Sequence, residues 1–356
     1  MPGPLRAVEL VHVRMPLVVP FRTAHGTTAV RDALLVHALT DGADGWGECV
    51  APASAGYSDE TLDAAHAALR EVLVPRVLAG SSIDDVTGAR FARAALGAAL
   101  LDAWCKQHDV SLAQYLGATR PRVVAGVAIG IASDTVTMAE RYVAAGYRRL
   151  KLKVAPHVPV SVVAAVRAAV GPDIALQADA NGSFTLADMA YLEALDDCAL
   201  QCVEQPLPPD DLAAHAELAR RIATPICLDE SISSAADAQT ALEARACRVV
   251  NVKPGRLGGI DEAVRVHDLC VAAGASVLCG GMLETGIGRA VNVALASLPG
   301  FTVAGDLSAS DRYFAEDLTD PFVLDDGYLR VPDRPGIGVE VRTDVVARYT
   351  VSAERL

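Results

Sequence analysis

The stretch from Lys151 to Lys253 constrains the fold most, because short apolar runs in it each end in a charge that a packed interior accepts only when paired. The runs are Leu150-Lys151-Leu152-Lys153-Val154, Ile174-Ala175-Leu176-Gln177-Ala178-Asp179, Cys202-Val203-Glu204, Ile226-Cys227-Leu228-Asp229 and Val249-Val250-Asn251-Val252-Lys253. The charges at 153, 179, 204, 229 and 253 follow one another at 26, 25, 25 and 24 residues. That interval holds one strand, one loop and one helix, so the pattern predicts repeated β/α units. Parallel strands in such units bring every terminal charge to one end of the sheet.

Before this stretch, residues 6–48 alternate as strands of an antiparallel sheet. A polar loop at 20–28 (Pro20-Phe21-Arg22-Thr23-Ala24-His25-Gly26-Thr27-Thr28) interrupts them, and a second small-residue loop follows at 50–58. Ser58 is expected to cap an alanine-rich helical region reaching about Leu116, with 94–105 as a buried helix. From Arg120 the β/α rhythm predicts eight strands, the first over 123–129 and the last over 301–304, and about seven helices. Eight parallel strands close a barrel with ligands at the C-terminal rim. A doubly wound open sheet is the alternative, but no GxGxxG or GxxxxGK[ST] loop supports it. The tail has Asp326-Gly327 and Pro335-Gly336 turns and a strand-like 338–342, and is expected to return to the N-terminal domain. The division is therefore 1–119 as an N-terminal α+β domain, 120–315 as the barrel and 316–356 as the returning segment.

A 52% hydrophobic chain of 356 residues can bury a sizeable core. Its net charge of −13 speaks against nucleic acid or an anionic membrane as partner and for a small molecule. The eight cysteines form no CxxC pair and read as buried thiols. No stretch is long enough to span a membrane and the first residues lack a signal-peptide core, so a cytoplasmic protein is expected. The eight histidines fall at no strand end and are expected in packing or on the surface.

Asp179, Glu204 and Asp229 end three consecutive strands and so converge on the barrel axis. Each could cap the helix that follows it, but recurrence at one period favours a shared cation. An all-oxygen set without histidine or thiolate selects a hard ion, Mg²⁺ foremost. Lys151 and Lys153 point to the same face of one strand, and Lys253 lies four strands away across the barrel. Crowded cations destabilise an ammonium, so these lysine pKa values are expected to fall toward the range of a general base. A metal flanked by opposed bases suits removal of a proton α to a carboxylate, whose enediolate needs strong charge stabilisation.

These motifs carry a resemblance. Lys151-Leu152-Lys153, Asp179-Ala180-Asn181, Val203-Glu204-Gln205-Pro206, Leu228-Asp229-Glu230-Ser231 and Asn251-Val252-Lys253-Pro254-Gly255 are similar to those of the enolase superfamily, muconate-lactonizing subgroup. Gly280-Gly281-Met282-Leu283-Glu284-Thr285-Gly286-Ile287-Gly288-Arg289 and Gly305-Asp306-Leu307-Ser308-Ala309-Ser310 resemble the o-succinylbenzoate synthase / N-succinylamino acid racemase family, as do Pro20-Phe21-Arg22-Thr23 and Trp46-Gly47-Glu48-Cys49. The resemblance implies an α/β fold, a modified TIM barrel (β/α)7β under an α+β capping domain. It implies Mg²⁺, replaceable by Mn²⁺ or another divalent ion, on Asp179, Glu204 and Asp229. Lys153 and Lys253 would exchange protons on the two faces of an N-acylamino acid. In o-succinylbenzoate synthesis, a step of menaquinone biosynthesis, Lys153 would act as base and then acid for a syn-dehydration, Lys253 stabilising the enediolate. Lys151 would share the catalytic face. Phe21, Arg22, Ser54, Tyr57, Asn181, Glu284 and Ser308 would contact the small-molecule carboxylate substrate, with Glu230 and Arg256 just outside the reacting groups. A homo-oligomer, dimer or octamer, is implied. The competing readings are a cycloisomerase or dipeptide epimerase of the same subgroup, a Schiff-base lyase and a non-catalytic binding protein. The dipeptide epimerase reading is weakened because Asp306-Leu307-Ser308 lacks a second aspartate.

Overall fold

The computed structural model describes residues 4–356. Alternating apolar positions produce a long antiparallel hairpin from β1 (Leu5–Thr23) and β2 (Gly26–Thr40), joined by β3 (Gly45–Cys49). The helix Arg90–Gln107 lies directly on β3, and a Cβ on Gly47 would sit 2.0 Å from Ala95 O, so only glycine permits this approach. The loop expected at 20–28 is instead mostly strand. Phe21 pairs with Thr28 and Thr23 with Gly26, so the hairpin tip narrows to a tight turn and projects over the barrel. Thr61, not Ser58, caps the first helix, Leu62–Ala68, by accepting from Ala64 N.

The strand expected over 123–129 divides in two. β4 (Arg122–Val124) pairs antiparallel with the tail, and β5 (Gly126–Ile129) opens the barrel. The parallel sheet continues through β6 (Arg149–Lys153), β7 (Ala175–Asp179), β8 (Cys202–Glu204), β9 (Ile226–Leu228), β10 (Val249–Val252) and β11 (Ser276–Cys279), in chain order. The eighth strand expected at 301–304 is absent as a regular element. Irregular backbone closes the ring, with Val303 N donating to Val277 O, Asp306 N to Cys279 O and Gly126 N to Leu307 O. Gly305 lies so close to β11 that a Cβ would be 1.9 Å from Cys279 O, which lets the chain seal the gap without a full ladder. β12 (Tyr328–Arg330) receives β4, and β13 (Thr350–Arg355) returns to pair antiparallel with β1. Residues 338–342 form no strand, since Gly338 turns into the left-handed region and Val341 makes one bridge to Thr319. All eight cysteines are buried and unpaired. Among the described residues, no helix is long and apolar enough to cross a membrane.

Glu48 fastens cap to barrel. Its carboxylate accepts from Thr285 N at 3.0 Å, Thr285 Oγ1 at 2.7 Å and Gly288 N at 2.9 Å, at the start of the helix Gly286–Ala296. Burial outweighs these donors and pushes its pKa from 4.5 up to about 7. Because the folded value lies above the unfolded one, folding takes up a proton between those values, and stability falls as pH rises through that window. Glu48→Gln should remove this slope, up to about 3 kcal/mol, so its stability should vary less with pH than the wild type's in urea titrations at pH 4.5 and 7; parallel curves would contradict it.

Candidate active site

The strand ends build the site. Register places Lys153 beside Asp179 and Asp179 beside Glu204, while Asp229 follows β9 and Lys253 follows β10. Lys151, two residues before Lys153, shares its face. A cavity of about 260 Å³ between the cap and this rim is lined by Lys151, Lys153 and Lys253, together with Phe21, His25, Tyr57 and Met282. β6 and β10 stand four positions apart in a ring of seven strands and one irregular segment, so Lys153 and Lys253 enter from opposite walls. A larger groove of about 990 Å³ opens at the other end of the barrel, but it holds none of these residues and its charges are mainly arginines.

Each lysine engages carboxylates. Lys153 Nζ donates to Asp179 Oδ2 and Asn181 Oδ1, both at 2.7 Å. Lys151 Nζ lies 3.0 Å from Asp179 and 3.1 Å from Glu204, and is also bonded to Asp306. Lys253 Nζ donates to Asp229 Oδ2 at 2.7 Å and to Tyr57 Oη at 3.1 Å, and Arg256 pairs with the other Asp229 oxygen. These contacts reverse one expectation. Burial acts to lower Lys151 and Lys253, but Asp306, Glu204 and Asp179 around the first, and Asp229 beside the second, hold both well above the usual lysine range. Neighbouring cations are outweighed by nearer anions.

The same partners explain the acids. Burial opposes ionisation of Asp179 and Asp229, yet Lys153 and Lys151, and Lys253 and Arg256, hold them below the carboxylate range. Glu204 goes the other way: burial and Asp179 push it up to about 8 despite Lys151. Burial and Asp229 push Glu230 up to about 7, and its Oε2 has no partner.

Among the described residues no three acidic, histidine or cysteine side chains converge into a metal-holding group, because the ammonium groups occupy the carboxylate oxygens. The donor chemistry nonetheless fits a hard divalent ion. Asp179, Glu204 and Asp229 are at most 1% exposed, offer oxygen only, and leave Glu204 poorly stabilised as an anion.

Of the residues expected to meet substrate, Phe21, Ser54, Tyr57 and Asn181 line the cavity. Asn181 links Lys153 to Glu230, donating to Glu230 Oε1 at 2.9 Å. Arg22, Glu284 and Ser308 lie outside its lining. Arg22 is exposed and joins cap to barrel through its backbone oxygen, which accepts from Ile131 N at 2.9 Å. Glu284 braces the loop after β11 through Met282 N at 2.6 Å and Asn292 Nδ2 at 2.8 Å, and Ser308 faces Arg289. The structure adds Asp306, which the closing segment brings to Lys151 and to the buried Arg149, and His25 at the hairpin tip. The Gly305-Asp306-Leu307-Ser308 motif was the available signal for the first, and the polar 20–28 segment that contains His25 was the signal for the second.

A capped parallel barrel with opposed lysines around buried carboxylates defines an enolase-like protein. Residues 134–345 match the family described as enolase C-terminal domain-like, and residues 5–117 match the mandelate racemase / muconate lactonizing enzyme N-terminal domain. The chain belongs to the mandelate racemase / muconate lactonizing enzyme family of the enolase superfamily. It is 51% identical to an N-succinylamino acid racemase of Amycolatopsis sp. and 42% identical to an o-succinylbenzoate synthase of Bacillus subtilis (strain 168), each match covering 98% of both chains. A crystal structure of an enolase superfamily member from Listeria innocua Clip11262 superposes with a TM-score of 0.94 at 37% identity, covering 99% of this chain and 98% of that one.

Proposed function

We propose that this enzyme removes the proton α to a substrate carboxylate through an enediolate, acting as an N-succinylamino acid racemase and an o-succinylbenzoate synthase. The observation that carries the reading is the entry of Lys153 and Lys253 into one cavity from opposite walls. In racemisation one lysine, released from its carboxylate partner as the neutral amine, takes the α-proton, and the other, as the ammonium, gives a proton to the opposite face, so the configuration inverts. In dehydration Lys153 takes the proton and then protonates the leaving hydroxyl on the same face, while the Lys253 ammonium opposes the enediolate charge. Asn181 and Asp179 aim Lys153, and Tyr57 and Asp229 aim Lys253.

Asp179, Glu204 and Asp229 would hold Mg²⁺, with Mn²⁺ or another divalent ion able to replace it. When bound, the ion supplies Lewis-acid stabilisation of the substrate carboxylate. Lys151, fully engaged by Asp179, Glu204 and Asp306, balances the acids rather than meeting the α-carbon. The kcat/KM values for the cyclohexadiene carboxylate precursor, N-succinyl and N-acetyl amino acids, a dipeptide and a muconate test the reading. Turnover of the first two classes at least about 10²-fold above dipeptide and muconate is expected; preference for either of the last two would overturn it.

A further inference from the structure

Arg312 ends a short turn of 3₁₀ helix, Ser310–Arg312, just after the segment that closes the barrel, and is 5% exposed. Its Nη2 donates to Ala128 O at 2.9 Å, while Nε and Nη1 are buried without a hydrogen-bond partner. A guanidinium in that state is costly unless something else offsets its charge. Three aromatic rings do so. Its central carbon lies 5.0 Å from the ring centre of Tyr313, 5.5 Å from that of Tyr142 and 5.6 Å from that of Phe21, each within reach of a cation–π contact.

These partners come from separate parts of the chain. Phe21 lies near the tip of the cap hairpin, Tyr142 on the barrel helix Thr135–Ala144, and Tyr313 directly after the 3₁₀ turn. Phe21, Ala128 and Tyr313 line the cavity that holds the lysines, whereas Arg312 lies behind them, outside its lining. Phe21 and Tyr313 also meet edge to face, 6.4 Å apart at 87°. Arg289 approaches Tyr313 alone of these rings, at 5.6 Å, and bonds Ser308 and Glu284 O. The hairpin has backbone fastenings of its own on either side of Phe21: Val18 N donates to Tyr313 O and Ile131 N to Arg22 O, both at 2.9 Å. Loss of Arg312 therefore loosens the Phe21 ring without undocking the cap.

We propose that Arg312 is a positioning residue that fixes Phe21 of the cap against Ala128 and Tyr313 of the barrel, giving the cavity a preformed wall for the non-reacting part of the substrate. It touches no reacting atom and acts through Phe21. A ring already held in place loses little freedom when substrate binds, so the benefit falls on binding rather than on the proton transfers. The kinetic part of the test rests on the racemase and synthase reading above.

Arg312→Met removes the charge and keeps most of the bulk. For an N-succinylamino acid it should raise KM about tenfold, the size of a desolvated cation–π contact, and change kcat less than about threefold. Arg312→Lys keeps a cation among the rings and should raise KM only about threefold. In a Phe21→Leu background Arg312→Met should add less than about twofold, because the ring it acts through is gone. A contribution to folding alone would lower the melting temperature and leave KM unchanged. An unchanged KM, a full tenfold rise in the Phe21→Leu background, or a lysine variant as poor as the methionine one would overturn the proposal. Amide hydrogen exchange gives a second measurement that needs no turnover. Peptides covering residues 21–28 should exchange about tenfold faster in Arg312→Met, and those covering β3 at the wild-type rate. Wild-type exchange at 21–28, or equal acceleration in both, would contradict the role. If wild type turns over neither substrate class, the functional reading has failed while exchange still decides on Arg312. Should the methionine variant not fold, Arg312→Lys carries the same comparisons with the smaller effect.

Discussion

Lys253→Ala is expected to lower racemisation by about 10²–10⁴-fold in kcat, the range for removal of a positioned general acid or base. Lys153→Ala should reduce racemisation to the same degree and should reduce dehydration as strongly, because one group serves both steps there. For Lys253→Ala the loss in dehydration should be smaller, since only electrostatic support is removed. Both variants should fold. Without Lys253, Asp229 retains Arg256 and Tyr57; without Lys153, Asp179 retains Lys151 at 3.0 Å. Steady-state kinetics on both substrates checks the pattern, and retention of full activity by either variant would defeat the two-base account.

Chelation should have an effect of similar size. Treatment with EDTA is expected to reduce both reactions by at least about 10³-fold, with recovery on adding Mg²⁺. The reason lies in charge: once Lys153 and Lys253 are turned toward substrate, Lys151 and Arg256 alone face three buried carboxylates at adjacent strand ends, which leaves a net negative charge for a cation to offset. Melting temperature provides a readout apart from catalysis. Mg²⁺ should raise it in wild type and raise it less in Glu204→Gln, whose neutral side chain needs no cation. Activity and melting temperature both indifferent to EDTA would contradict the assignment of these residues.

Much of this site was legible because its residues recur at the period of a β/α unit. Lys153, Asp179, Glu204, Asp229 and Lys253 need only the strand rhythm to be placed at one rim. The eighth strand misled, because a run such as Phe301-Thr302-Val303-Ala304 has strand propensity, while the close approach at Gly305 is a tertiary fact. Asp306 reaches Lys151 across 155 residues of chain, and only ring closure brings them together. The sign of the lysine shifts was hidden for a related reason. Neighbouring cations are visible along a strand, whereas the acids that outweigh them come from other strands and from the closing segment. The 20–28 segment reads as a loop from its polar residues, yet cross-strand pairing extends the hairpin almost to its tip.

The central claim, that Lys153 and Lys253 serve opposite faces of one α-carbon, is tested most directly by α-hydrogen exchange in D₂O with each enantiomer of an N-succinylamino acid separately. Wild type should exchange both enantiomers. Lys153→Ala should lose exchange of one enantiomer and keep the other, and Lys253→Ala should show the reverse. Exchange of both enantiomers by either variant, or loss of the same enantiomer in both, would contradict the account.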